Sequence, residues 1–380
     1  MCAFERSEKG MEFNMKKNIL YVVLIVILIC IITAIVFVKS GNKKRPKIMI
    51  DNNVNISKKT EEKINYVEEI SVYNAAEYMD METVKDFERE YKIKVNYKEF
   101  ESNETMYADF VKNPNSYDVL VPSDYMIDRL IKENRLSKLT KSNITNISNI
   151  ATEYINPEYD KENEYTIPYM TGTVGILYNK KMVTEPVTSW KIFWDTKYKG
   201  QIWLWDSMRD VIGMALKSLG YSMNSVNDAE LNSAKQALIT QNKLLRGYEE
   251  EQSRDAMIAD EGALALVYSG EAKFAIDQNP NLAYVIPEEG SNKFIDGFVI
   301  TKNTKHKEAA EKFINFMCRS NIAIRNMTET GYTSPIKGAW SEFGNDKIMF
   351  PSEEELSRCE AFLYNEQGTK KYDTLWSQIR

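Results

Sequence analysis

The sequence reads as an α/β fold. Three observations predict it. Strand-length apolar runs alternate with helical periodicity from Ile70 to Leu136. A long apolar strand at 167–178 carries glycines, and further strand-like runs follow it at 200–206, 264–270 and 294–300. Strands alternating with helices imply βαβ crossovers and a parallel sheet, whose ligands collect at the carboxyl ends of strands.

The elements follow in order. Ser71-Val72-Tyr73 is a short β-type run ending at Asn74-Ala75-Ala76-Glu77-Tyr78. Asp80 is an N-cap, with Glu82 in the first turn, where the helix dipole favours acid. Met81, Val84, Phe87 and Tyr91 hold helical spacing behind it. Ile93 to Tyr97 alternates with period two, as a half-buried strand does. Glu101 to Tyr107 is a turn feeding a helix, and Tyr117 to Val121 is a buried strand broken by Pro122-Ser123-Asp124-Tyr125. Two strand ends thus present Tyr78 and Ser123/Tyr125, groups that stack and hydrogen-bond.

Ile167 to Tyr178 is a long apolar strand whose glycines suit a hinge-bearing strand with close backbone approach. Trp190, Phe193 and Trp194 read as a helix packing a core. Gly200 to Asp206 is a strand ending in acid, and Ser207-Met208-Arg209-Asp210 opens the next helix, with Arg209 bracing the lobe. Leu264 to Gly270 is another strand, and Phe294 to Ile300 is a further one. The helix from Lys307 to Cys318 sets Ala310, Phe313, Ile314 and Met317 at core spacing.

The N-terminus is of a different kind. Residues 19–38 carry no charge and are long enough to cross a ~30 Å bilayer core as a helix. Lys16-Lys17 precede the run, yet Lys39, Lys43, Lys44, Arg45 and Lys47 make the downstream flank more basic, so the positive-inside rule alone argues for an inside domain. A cleaved signal peptide ranks lower, because the apolar core is too long and no small-x-small site follows it. Cys30 follows Ile27-Leu28-Ile29, without the small residue a lipobox wants before its cysteine. The expected order is a cytoplasmic N-terminus at 1–18, a transmembrane anchor at 19–38 and a flexible linker at 39–67, polar and poor in aromatics. Such a linker spans roughly 30 Å.

Composition narrows the function. The formal charge of −6 disfavours nucleic acid and suits cationic ligands. The chain holds 22 Tyr and 6 Trp, a large supply of aromatic walls. His306, the single histidine, lies in a polar turn with no acid–nucleophile arrangement beside it, which leaves Ser–His or Cys–His catalysis little to work with. Cys318 and Cys359 read as two independent small hydrophobes, and no CxxC, zinc-type cluster or phosphate-cradling glycine loop occurs. No cofactor and no metal is expected, and a binding protein is expected before an enzyme.

ESNETMYA, VPSDY, VTSW followed by YKG, and TGYTSP stand in order along the chain. Together they resemble the spermidine/putrescine-binding proteins of bacterial ABC importers, over roughly residues 68 to 380. The resemblance implies a two-lobed type II periplasmic-binding-protein fold with a hinge, and it places the domain outside the membrane. It implies lobe 1 at 68–171 plus 296–340 and lobe 2 at 172–295 plus 341–380. It implies a polyamine ligand, putrescine or spermidine, and ABC permease subunits as partners. Carried over position by position, Tyr78, Ser123, Tyr125, Asp210, Asp296 and Tyr332 keep the expected binding chemistry. Tyr268 and Phe294 fall where the family places tryptophans. Glu77, Ser207 and Phe362 are weaker candidates.

The departures matter. The family's Trp-Thr is Ala75-Ala76 here, which removes an aromatic wall, and an acid at the helix start is Ser207. With fewer charge partners, putrescine is easier to satisfy than spermidine. Rival readings are a receptor for another small cationic or amphipathic solute, an anchored extracellular enzyme, and a sensor, for which the short N-terminus leaves no signalling domain.

Overall fold

The computed structural model describes residues 64–249 and 251–380. The expected anchor and most of the expected linker lie outside them. Among the described residues no helix is long and apolar enough to cross a membrane.

The first half of the fold is built as the alternation predicts. β1 (Glu68–Ala75) leads to α1 (Met81–Tyr91), whose N-cap Asp80 accepts the Glu82 N–H at 2.9 Å. β2 (Ile93–Phe100) is followed by α2 (Asn103–Lys112), where Ser102 and Thr105 form a reciprocal capping box. Such a box satisfies two backbone donors that the helix start would otherwise leave bare. β3 (Val119–Leu120) is shorter than the expected run, and α3 (Asp124–Lys132) begins just past Pro122. β1 pairs in parallel with both β2 and β3.

The sheet is mixed rather than parallel. β9 (Lys293–Ile300) pairs antiparallel to β3 and to the first half of β4 (Thr166–Asn179). It enters from the far end of the fold, not through a crossover helix, so its direction is reversed. The second half of β4 pairs with β7 (Leu264–Tyr268) on one side and β8 (Leu282–Val285) on the other. Beyond β7 lie β5 (Ile202–Leu204) and β6 (Leu245–Tyr248). One strand, β4, therefore belongs to both sheets, and the changeover falls at Thr173/Val174. Each sheet is the heart of one lobe.

Two large cores match the two sheets. One gathers Ile70, Val72, Phe87, Ile93 and Phe298 with Phe313, Ile314 and Met317 of α8 (Lys307–Met317) and Met327 of α9 (Ser320–Thr330). The other gathers Ile176, Trp190, Phe193 and Leu204 with α4 (Met208–Ser218) and α5 (Asp228–Gln241). Trp190–Trp194 is a single 3₁₀ turn, not a longer helix, but its core role holds, since Trp190 and Phe193 are fully buried. The strand expected over 264–270 stops at Tyr268, because Ser269 starts α7 (Ser269–Gln278).

Three helices complete the order: α6 (Glu251–Ile258), α10 (Glu353–Ser357) and α11 (Glu366–Ile379). Met349 and Phe350 pack on the first core, whereas Tyr372, Leu375 and Ile379 of α11 sit in the second. The chain thus changes lobe a third time between them. Cys318 and Cys359 are both free and buried. His306 precedes α8 half-exposed, its Nδ1 3.1 Å from Glu68 Oε1.

Candidate functional site

A cavity of about 760 Å³ lies between the two sheets. Every residue singled out from the sequence lines it: Tyr78, Ser123, Tyr125, Asp210, Tyr268, Phe294, Asp296 and Tyr332, and the weaker Glu77, Ser207 and Phe362. Ala75 and Ala76 line it as well, where their small side chains leave room.

The topology explains the convergence. Tyr78 follows the carboxyl end of β1, and Ser123 and Tyr125 follow that of β3. Asp210 sits in the first turn of α4, after β5. Phe294 and Asp296 alternate along β9, so both face the same side. Tyr332 comes after Gly331, which ends α9 at φ 75°.

Five rings form a continuous edge-to-face series. Trp205 meets Tyr268 at 5.5 Å between centroids, Tyr268 meets Phe294 at 5.6 Å, Phe294 meets Tyr332 at 6.0 Å, and Tyr332 meets Tyr78 at 5.1 Å. Such rings prefer edge-to-face packing at these separations, and their faces attract cations. Gly172 of β4 permits the arrangement. A Cβ there would stand 2.7 Å from Phe294 Cζ and 3.0 Å from Tyr332 Cδ1.

Each end of the series carries a buried acid. At one end Tyr268 donates to Asp210 Oδ2 at 2.6 Å, as does Ser207 Oγ at 2.6 Å, and Asn292 Nδ2 donates to Asp210 Oδ1 at 3.2 Å. Burial pushes this carboxyl above the usual carboxylate range, and these donors work against the rise. At the other end Tyr78 donates to Asp296 Oδ2 at 2.7 Å. Asp296 Oδ1 is buried and has no hydrogen-bond partner among the described residues. Burial pushes the Asp296 carboxyl up to about 6 against the pull of the Tyr78 hydroxyl and of the nearby Ser123 hydroxyl.

Several contributors escaped the sequence reading. Asn103 grips Ser123, donating from Nδ2 to Oγ and accepting from the Ser123 N–H, each at 3.0 Å. Glu104 Oε1 accepts the Tyr125 hydroxyl at 2.8 Å. The ESNE stretch therefore buttresses the VPSDY loop; a polar run after a strand end was the available signal. Asp124 is buried beside the site, and burial raises its carboxyl to about 7, with Asp296 adding to the rise. Asn292 carried no sequence signal. Arg209 stacks 4.7 Å over both Tyr125 and Phe362 and donates to Leu363 O at 3.1 Å, which is the bracing role expected of it. Phe362 lines the wall as an aromatic edge, 6.2 Å from Tyr125.

The walls are aromatic, the acids are buried, and among the described residues no group of three or more His, Cys, Asp or Glu side chains is placed to hold a metal.

Comparison with known proteins agrees with this geometry. Residues 82–351 match the family model of the bacterial extracellular solute-binding proteins. The chain is 34% identical over 294 residues to the spermidine/putrescine-binding periplasmic protein of Escherichia coli, covering 76% of this chain and 84% of that one. It is 29% identical over 337 residues to the putrescine-binding periplasmic protein SpuD of Pseudomonas aeruginosa, covering 82% and 91%. The crystal structure of the spermidine/putrescine ABC transporter substrate-binding protein PotD from Streptococcus pneumoniae superposes with a TM-score of 0.72 at 35% identity, over 82% of this chain and 98% of that one. With its family model spanning most of the sequence and two lobes closing on one cavity, the chain belongs to the bacterial extracellular solute-binding proteins.

Proposed function

We propose that this protein is the extracytoplasmic receptor of an ABC importer, that it delivers a polyamine to the permease, and that it prefers a diamine such as putrescine to the longer spermidine. One observation carries the reading. A buried carboxylate oxygen, Asp296 Oδ1, faces a cavity walled by aromatic rings and has no hydrogen-bond partner among the described residues. Burying a charge without a partner is prohibitive, so an ammonium group is the complement such an atom calls for. A second ammonium finds Asp210 at the far end of the ring series, and the methylenes between lie along the ring faces. The names of the relatives support the same ligand class. A cavity of about 760 Å³ lies within the usual range for small-molecule sites.

The lobes of the proposal are 68–171 with 296–340 and 172–295 with 341–380, the last crossing drawn out toward Phe362. Residues 19–38 hold the receptor on the membrane, and 39–67 let it reach the permease. Protease added to intact protoplasts releases a soluble domain on this reading; a mature protein free in the medium and starting after residue 38 removes the anchor.

A thermal-shift series of putrescine, cadaverine, spermidine and non-polyamine amines tests the ligand. A ligand that binds only the folded state at 100 times its Kd stabilises by about 2.7 kcal/mol, a shift of several degrees at this size. Putrescine is expected to give the largest shift. No shift with any polyamine, and a shift with another amine, assigns the site to that other solute and leaves the family intact.

A further inference from the structure

The rim of the cavity holds a cation of the protein's own. Arg254, in the first half of α6, lies in lobe 2 and is buried to 7% exposure. Its Nη1 reaches Glu271 Oε2 at 2.8 Å, in the first turn of α7 of the same lobe. The same nitrogen reaches Glu77 Oε2 at 3.3 Å, across the cleft in lobe 1. Its Nε lies 3.5 Å from Asp255, and its plane sits 4.9 Å over Phe274. Glu77 is held in the left-handed region at φ 51°, a conformation that L-residues adopt rarely and that marks positions under constraint. It directly precedes Tyr78, whose hydroxyl meets Asp296. Arg254, Glu77 and Glu271 all line the cavity.

We infer that Arg254 is a specificity-determining residue: a resident cation that occupies the Glu77/Glu271 acid pair and so denies it to a third ammonium of the ligand. The inference rests on the polyamine reading and deepens it. Glu77 and Glu271 are held by Arg254, whereas Asp210 and Asp296 stand along the ring series without a cation of the protein's own on them. These two carboxylates, set apart along the ring series, match the two ammonium groups of a diamine. A guanidinium on the rim also repels the third amine of a longer chain, and such a repulsive element is how a site discriminates between ligands with the same core.

Calorimetric titration of putrescine and spermidine against the full chain and Arg254→Gln tests this. Removing the guanidinium frees the acid pair, so the spermidine-to-putrescine affinity ratio is expected to rise about tenfold or more, the worth of a close charge pair. Arg254→Lys keeps a cation and is expected to keep the parent ratio. The double variant Arg254→Gln/Glu77→Gln removes an acid as well and is expected to bring the ratio back toward the parent. A loss of affinity that is equal for both amines overturns the inference, because a merely structural arginine acts so.

A second arm needs no polyamine. In Arg254→Ala, millimolar methylammonium is expected to raise the melting temperature more than in the parent, by refilling the vacated cation seat. Equal shifts in both proteins overturn the inference. If the parent binds no polyamine, the ligand reading falls, and this arm still decides whether the acid pair is a cation seat.

Discussion

At the scale of single residues, two acids at the two ends of one ring series are not equivalent. Asp210 accepts three hydrogen bonds from Tyr268, Ser207 and Asn292. Asp296 accepts one on Oδ2 and leaves Oδ1 bare among the described residues. Asp296→Asn is therefore expected to cost the ligand more than Asp210→Asn does. Truncating one partner of a desolvated charge pair costs about 2–5 kcal/mol, ~30-fold or more in affinity. The same substitution is expected to stabilise the empty protein at neutral pH. An aspartate titrates near ~3.9 in the unfolded chain, and Asp296 titrates at about 6 in the fold. The folded state binds the proton more tightly, so the stability linked to this group is greatest below the unfolded value and is lost as pH rises through about 6. Asp124, at about 7, extends the window upward. Melting of the ligand-free protein should accordingly rise as pH falls from 7.5 to 5. Asp296→Asn should melt a few degrees higher than the parent at pH 7.5, a gain of order 2 kcal/mol. A parent curve that is flat over this range contradicts a charged, buried Asp296. Ligand affinity should also drop below about pH 6, where the empty site holds a proton in place of an ammonium.

At the scale of elements, β4 does two jobs. Its first half closes the first sheet against β9, and its second half opens the second sheet against β7 and β8. Where it changes partners, Gly172 lets Phe294 and Tyr332 approach its backbone. Gly172→Ala puts a methyl group into the ring series at a distance no carbon pair tolerates. The rings must shift, and overpacking of this kind costs about 1–3 kcal/mol. The expected outcome is a lower melting temperature together with weakened amine binding. Alanine tolerated without loss of either would show that the ring series is not a packed unit. The sequence signal here was strong, because a glycine inside an apolar strand asks for an explanation in close approach. It was weak for β3, where Tyr117 to Val121 promised a longer strand. Asp118 still bonds through its backbone to Ser71 and Thr301, but its side chain takes the Ser71 N–H on Oδ2 at 2.8 Å and the Thr304 hydroxyl on Oδ1 at 2.5 Å. Only Val119 and Leu120 remain as ladder residues.

At the scale of the whole molecule, Arg209 on Tyr125 and Arg254 with Glu77 join the lobes across the cleft, and Tyr268 on Phe294 and Gly270 against Tyr332 join them at its floor. Three chain crossings join them, at the middle of β4, at the start of β9 and after Phe350. The two strand crossings are short and extended, the kind of connection that absorbs the φ/ψ change of a hinge closure. Small-angle scattering is expected to give a smaller radius of gyration with saturating putrescine than without it. An identical profile in both states contradicts a closing clamp.

The sequence by itself determined the alternation of strands and helices from β1 to α3, because period-two and period-3.6 patterning and side-chain caps such as Asp80 are local properties, but it left β6, β8 and α5 unread. It also placed Tyr78, Ser123 and Tyr125 at strand ends, where ligands of an α/β fold collect, whereas Asp210 and Asp296 were candidates only through the family resemblance. Only the tertiary structure decided the sheet's mixed direction, which depends on where a strand returns from rather than on what it is made of. Only it paired Arg254 with Glu77, residues that are far apart in the chain and charged like many others on the surface. And only it separated a satisfied Asp210 from an unsatisfied Asp296, because hydrogen-bond satisfaction belongs to the neighbours a side chain is folded against and leaves no periodicity to read.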